Sequence, residues 1–374
     1  MTLIFWVSLG TLVYIYIGYP VVVWVLARLF GREPKRAAAA PAVSLLIPAY
    51  NEEAHIEAKL RNSLALDYPK DKLEIVVVND GSADKTQAIA ERFQLQGIAV
   101  ITYPHIGKSA ALTRAVPQLR GELIVFSDAT IELEPEALRA LVQAFADPAV
   151  GCVSGAYYLK ADEDLRAEAE GLYWRYESFV KRQESRLHSV MGAHGPCYAI
   201  RKTAFEPLHP NEINDDYLIP MRILARGFRV WYEPNAVAWE PELVSIGGEF
   251  ARRRRIAAGN CQQTVRLLHL LNPLRGWVAF SFLSHKVLRT LAPVCLIALF
   301  IAGLWLPAGW RAAALAAQAL LYGSALAGYG CQRRGLRVRW LSPPLYFCFG
   351  NLAMLAGLCN YLFARKSLVW ERVR

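Results

Sequence analysis

The chain has no C-x-x-C pair, and its seven cysteines (Cys152, Cys197, Cys261, Cys295, Cys331, Cys348 and Cys359) are scattered and odd in number. This argues against a disulfide framework or a cysteine zinc site and fits a reducing compartment. Charge is missing from the first apolar run, Leu3 to Leu29, until Arg28. No basic residue precedes that run and no small-residue cleavage site follows it, so a secretory signal peptide does not fit. A complete phosphate loop is also lacking. Gly107-Lys108-Ser109 is present, but position 102 is Thr102 where G-x-x-x-x-G-K-[ST] needs glycine, which removes an ATPase reading. There is no internal repeat, and the only biased tract is a short alanine-rich linker, Ala37 to Ala42.

What the 374 residues do contain is an excess of apolar side chains, 54%, with a formal net charge of +10. A basic balance suits nucleic acid, anionic lipid or a phosphorylated small molecule, and the apolar segments favour the last two. Residues 1–30 read as a transmembrane helix, since a bilayer core takes about 20 apolar residues. Arg28, Arg32, Lys35 and Arg36 follow, placing the next segment in the cytoplasm by the positive-inside rule. Residues 43–270 are globular in composition. Residues 272–290 mix Trp277, Phe280 and Leu283 with His285, Lys286 and Arg289, as a helix in the membrane interface would. Residues 291–374 hold two spanning candidates, Leu291 to Trp310 and Ala312 to Gly330, then the apolar Leu345 to Phe363. Full crossing by the last would put Arg365, Lys366, Arg372 and Arg374 outside, against the rule, so a re-entrant or interfacial segment is expected. The chain is thus expected to be multi-pass in the cell inner (plasma) membrane with a cytoplasmic domain.

Within that domain, Val43 to Pro48, Leu73 to Val78, Ile98 to Thr102 and Leu123 to Phe126 read as strands. Helices are expected between them, over Ala54 to Leu66, Lys85 to Leu95 and Ser109 to Leu119. The alternation predicts an α/β fold with a parallel sheet covered on both faces, and ligands at the carboxyl ends of its strands. Polar clusters sit at those ends: Pro48, Tyr50, Asn51 and Glu52 after the first, Asn79 and Asp80 after the second, Asp128 and Thr130 after the fourth. Further on come Asn214-Asp215-Asp216 with Arg222, and Arg252 to Arg255.

Asp128 suits a metal ligand, and Asp80 suits hydrogen bonds from a base edge or ribose. Asn51 suits a cap on the following helix as well as a base contact. Arg252 and Arg255 share a helix face and suit a diphosphate clamp, with lipid headgroups as the alternative partner. Lys108 at a helix start suits a phosphate. Asp215 and Asp216 are adjacent carboxylates that raise one another's proton affinity if both point into a pocket, although acids are also favoured at any helix N-terminus.

The ordered series resembles the family-2 inverting glycosyltransferases, in particular the membrane branch containing the cellulose, chitin, hyaluronan and poly-N-acetylglucosamine synthases. The resemblance covers nearly the whole chain. It implies a cytoplasmic GT-A-like domain flanked by transmembrane helices, a UDP-sugar donor, Mg²⁺ or Mn²⁺, and a glycan or lipid acceptor, with no nucleic acid. It implies donor contacts from Pro48, Tyr50, Asn51, Glu52, Asp80, Lys108, Asp128, Arg252 and Arg255, and catalysis by Asp216 with Asp215. Trp174, Gly192, His194 and Gly195 correspond to the acceptor region. Three positions depart from the family pattern: Thr130 stands where a second metal-binding aspartate is usual, Arg252 where glutamine is, and Ile256 where tryptophan is. Single-sugar transfer to a lipid and a nucleotide-sensing module without turnover are the competing readings. A partner subunit leaves no mark in the sequence.

Overall fold

The computed structural model describes residues 1–160, 165–241, 246–334, 336 and 338–363. The basic tail with Arg365, Lys366, Arg372 and Arg374 lies outside the described residues.

β1 (Val43–Ala49), β2 (Leu73–Asp80), β3 (Ile98–Tyr103) and β4 (Leu123–Phe126) form at the four apolar β-branched runs. They are joined by β5 (Glu132–Leu133), β6 (Val150–Leu159), β7 (Tyr198–Arg201) and β8 (Arg229–Glu240) in one sheet of order β3-β2-β1-β4-β7-β6-β8-β5. β1 to β4 are mutually parallel, as expected. The sheet as a whole is mixed, which corrects the parallel expectation: β7 lies antiparallel between β4 and β6, and β5 antiparallel to β8. Both faces are buried. On β1, Leu45 and Ile47 enter one core while Leu46 enters the other; Val77 and Val78 divide likewise on β2. This near-continuous apolar reading is what two-sided burial demands. β1 to β3 run outward to one edge and β4 returns on the other side of β1, so a crevice opens where β1 and β4 diverge. Pro48 stands there, beyond the last β1–β4 pair, Leu46 with Phe126.

Among the described residues, three helices are long and apolar enough to cross a membrane: Thr2–Phe30, Ala308–Arg333 and Arg339–Phe363. Ala292–Gly303 has only 12 residues, about 18 Å at the α-helical rise, against a hydrocarbon core of about 30 Å. The span expected over Leu291 to Trp310 therefore does not stand alone. Trp277–Thr290 precedes it at a 57° bend, and the two together have the length and composition of a crossing. Trp277 lies 5.8 Å from Phe30, and Trp310 lies 5.4 Å from Trp6. The start of the bent pair thus lies beside the end of Thr2–Phe30, and its second half packs Ala292, Leu299 and Ala302 against Phe5, Leu12 and Ile15; the boundary expected near Leu291 falls at the bend.

The final helix, Ser342–Phe363, is unbroken and rests on the domain's own helix Ile246–Arg266. The two approach closely through small residues. A Cβ on Gly357 would lie 2.5 Å from Ala257 Cβ and 2.7 Å from the Arg254 carbonyl oxygen. Leucine at Gly357 forces these helices apart, at a cost of roughly 1–3 kcal/mol. We expect Gly357→Leu to lower the melting temperature of the detergent-solubilised protein, with Gly350→Ala, whose Cβ meets only the end of Arg253, as the mild control.

Candidate active site

Lys108 is the centre of the crevice. Gly107 turns the chain with φ 87°, and Lys108 opens the helix Lys108–Ala115. Its Nζ donates to Asp128 Oδ1 at 3.1 Å and lies 3.2 Å from Asp215 Oδ1. Burial opposes its charge, but Asp128, Asp215 and Asp216 outweigh burial and hold the ammonium above its ordinary range. Asp128 follows β4 and keeps two-fifths of its side chain exposed; Asp215 keeps one tenth. Thr130 is half-buried two residues beyond Asp128.

Asp215 and Asp216 are the first two residues of the helix Asp215–Ala225. Asn214 fixes that helix start to the neighbouring helix: its Nδ2 donates to the Ile256 carbonyl oxygen and Asn260 Oδ1, and its own carbonyl oxygen accepts from Gln263. Burial and the Asp215 carboxylate push Asp216 up to about 6, against the pull of Lys108 and Lys181. A carboxylate tuned to that range is suited to proton transfer near neutral pH. Gly195 lies directly over it: a Cβ there would stand 2.7 Å from Asp216 Oδ2 and 3.2 Å from Cγ. We expect Gly195→Ala to turn the Asp216 carboxylate away and lower turnover about 10²-fold, the scale of a 1 Å misplacement, with folding intact. Steady-state kinetics beside a melting curve tests this.

The loops after β1 and β2 lock onto each other. Asn51, at φ 56°, receives the Ala83 N–H on Oδ1 while its own N–H donates to Ser82 Oγ. Glu52 N–H donates to Thr86 Oγ1. The expectation that Asn51 caps the next helix is corrected, because that helix starts at Ile56 after His55 and Asn51 binds across to the β2 loop. Asp80 is buried and accepts the N–H groups of Ile106 and Gly107 at 2.8 and 2.9 Å, with His105 Nδ1 at 3.0 Å. It therefore shapes the turn that presents Lys108. Above it, Tyr50 stacks on His105 with ring centroids 4.2 Å apart, offering a flat apolar surface at the mouth of the crevice.

The arginines divide. Arg252 is drawn to Glu240 at 3.3 Å and Glu249 at 4.0 Å, which corrects the expectation of a two-arginine diphosphate clamp. Arg255 remains. Its Nε is buried with no hydrogen-bond partner among the described residues, and the charges acting on it include Asp216, Asp215 and Asp128. Burial, then Arg252, holds its guanidinium below the ordinary range. Arg222, six residues after Asp216, points to Glu212 and the Pro207 carbonyl oxygen.

In the expected acceptor region, Gly192 takes φ 105° and its carbonyl oxygen accepts from the buried Lys181 Nζ at 2.7 Å. His194 is buried: its Nδ1 donates to the Gly155 carbonyl oxygen at 3.0 Å, and burial brings its pKa down to about 3, so the ring is neutral. Trp174 packs edge-on against it at 5.4 Å and against Tyr157 at 4.7 Å. His194 and Trp174 thus support the loop from behind, while Gly195 faces the crevice.

Sequence reasoning missed the buried charges beneath this loop. Glu184 accepts from Tyr19 Oη at 2.5 Å and from His285 Nδ1 at 2.7 Å, and its other oxygen accepts the Met191 N–H at 3.3 Å. Glu177 pairs with His285 and Arg289. Glu177, Lys181 and Glu184 share one face of the helix Leu165–Leu187 at helical spacing, and charges repeated on a face that also carries Val180 and Leu187 were the available signal.

Among the described residues no three His, Cys, Asp or Glu side chains form a metal cluster. A divalent ion that travels with a diphosphate takes most of its ligands from phosphate and water and only one or two from the protein. The partly exposed Asp128 fits that more modest role.

Residues 44–208 match the family described as glycosyl transferase family 2. An N-acetylglucosaminyltransferase of Rhizobium leguminosarum bv. viciae is 25% identical over 264 residues, 66% of this chain and 62% of that protein. A poly-beta-1,6-N-acetyl-D-glucosamine synthase of Staphylococcus aureus (strain COL) is 26% identical over 231 residues, 60% of this chain and 56% of that protein. The match thus spans about six tenths of these relatives' length. Among solved structures, a mannosyltransferase from Pyrobaculum calidifontis in complex with GDP-Man and Mn²⁺ superposes with a TM-score of 0.70 at 23% identity, over 97% of this chain and all of that one. That likeness extends the shared fold beyond the matched segment into the flanking helices. Residues 44–208 thus match the glycosyl transferase family 2 model, and the solved structure shows that the chain shares a GT-A-like fold with it.

Proposed function

We propose that the chain transfers a sugar from a nucleoside-diphosphate donor to an acceptor hydroxyl with inversion at the anomeric carbon, at the cytoplasmic face of the inner membrane. The observation that carries this is Asp216. It is held at about 6, under Gly195 and beside the cation Lys108, in the crevice where this sheet architecture places ligands.

In this reading the acceptor hydroxyl loses its proton to Asp216 as its oxygen bonds to the anomeric carbon. The bond from that carbon to the diphosphate oxygen breaks, and the nucleoside diphosphate leaves with the electron pair. Lys108 and Arg255 face the charge that grows on the diphosphate. Mg²⁺ or Mn²⁺, held by Asp128 with Thr130 contributing through water, would neutralise the same charge. Tyr50 and His105 would receive the base, and the loop from Gly192 to Gly195 the acceptor.

UDP is the proposed nucleotide, from the likeness to N-acetylglucosamine-transferring relatives. GDP-mannose is the second donor to test, because the solved structure that overlays nearly the whole chain holds it. The acceptor is a glycan or a lipid-linked sugar. The test supplies the full chain in lipid vesicles with labelled UDP-N-acetylglucosamine, UDP-glucose, UDP-galactose or GDP-mannose, plus Mg²⁺ or Mn²⁺. Metal-dependent label in polymer or in the lipid phase is expected from a UDP-sugar. Nucleotide binding with no label incorporated from any donor would favour a sensing module instead.

A further inference from the structure

Lys59 is a buried lysine with no carboxylate in salt-bridge contact among the described residues. It lies in the helix Ile56–Leu64, on the face that also buries Ile56, Leu60 and Ser63. Its side chain crosses beneath the carboxyl end of β4, where Nζ donates to Ser127 Oγ at 2.7 Å and to the Ile131 carbonyl oxygen at 2.8 Å. Those two residues bracket Asp128. Ser127 Oγ then donates onward to the Pro196 carbonyl oxygen at 3.0 Å. Pro196 follows Gly195, the residue at which a Cβ would stand 2.7 Å from Asp216 Oδ2. One lysine side chain thus reaches both sides of the crevice through a single directed relay.

Burying an ammonium without an ion pair is costly, and an apolar side chain of similar length would fill the same space more cheaply. What lysine supplies there is donors, aimed at two acceptors on one loop. Hydrogen bonds in series polarise one another, so the Lys59–Ser127 bond strengthens the one from Ser127 to Pro196.

We propose that Lys59 is a positioning residue that sets the Asp128 loop directly and the Gly195–Asp216 contact through Ser127. This rests on the transferase reading above. The two arms of the relay have different consequences. Lys59→Met frees the Asp128 loop and weakens the Ser127–Pro196 bond, whereas Ser127→Ala removes that bond outright while Lys59 keeps its bond to Ile131.

The experiment measures Mn²⁺–UDP and Mn²⁺–GDP affinity calorimetrically, and kcat and donor KM, for the full chain in lipid. It compares wild type, Lys59→Met, Ser127→Ala and the double variant, with melting curves for all four. Lys59→Met is expected to weaken metal–nucleotide binding about tenfold and to lower kcat, the usual scale for groups that orient a metal ligand. Ser127→Ala is expected to lower kcat with affinity and KM unchanged, and the double variant to combine the affinity loss of Lys59→Met with a kcat at or below that of Ser127→Ala. Wild-type affinity and kcat in a folded Lys59→Met protein would overturn the proposal, as would losses that merely follow the fraction unfolded. A wild type that binds neither nucleotide with Mn²⁺ would end the transferase reading and this proposal with it.

Discussion

Asp216→Asn is expected to abolish transfer and at the same time to stabilise the protein. Loss of a general base costs turnover about 10³-fold, within the usual range for such groups. The stability effect has the opposite sign. Asp216 has its folded pKa raised from 3.8 to about 6. Its contribution to stability is therefore fully present below the unfolded value and lost as pH rises through about 6. At pH 7.5 the wild type carries an ionised carboxylate that burial and Asp215 disfavour, and asparagine does not. The gain is roughly 1–3 kcal/mol, the free energy that separates a carboxyl at 3.8 from one at about 6. A melting temperature for Asp216→Asn above wild type at pH 7.5, with the difference vanishing toward pH 4, checks this. A structural aspartate capping its helix would instead lose stability on the same substitution.

Lys108→Met is the second large effect. Lys108 is the cation between Asp128 and Asp215 and lowers the pKa of Asp216. Without it three carboxylates face one another across the crevice. The loss of a preorganised cation beside the leaving group is worth about 10²–10³-fold in turnover. The residual activity carries a second signature. Asp216 must be deprotonated to act, so wild-type activity falls as pH drops through about 6. In Lys108→Met that acidic limb moves to higher pH, because the charge favouring the carboxylate is gone. A pH–rate profile of kcat for both proteins measures the displacement; an unmoved limb would separate Lys108 from Asp216.

Much of this site was legible before the structure because it follows strands of simple character. Val43 to Ala49 and Leu73 to Asp80 are apolar, β-branched and closed by turn residues, so the residues after them fall at the sheet's carboxyl edge whatever the tertiary detail. Asp128, after β4, falls there by the same pattern; the Asp215-Asp216 pair follows no predicted strand and was singled out through the family resemblance. The second half of the sheet was harder. β6 contains Gly151 and Gly155, which approach Phe228 and Cys197 too closely for any Cβ, and no local pattern announces a strand interrupted by such contacts. Arg252 looked equivalent to Arg255 by helical spacing, and only the placement of Glu240 at the end of β8 separates them. Lys59 left a trace, a lysine inside an apolar stripe, but its partners lie 68 and 72 residues away. The membrane segments were read by composition, which finds apolar length but not the bend between Thr290 and Ala292.

The central claim is an in-line displacement driven by Asp216 from the face opposite the diphosphate. The anomeric configuration of the product tests it most directly. The full chain in lipid vesicles would receive an α-linked UDP-sugar with Mn²⁺, and the new glycosidic linkage would be read from its proton–proton coupling by NMR. A β-linkage, absent with Asp216→Asn, is the predicted result; an α-linkage, or a β-linkage formed equally well by Asp216→Asn, would contradict it.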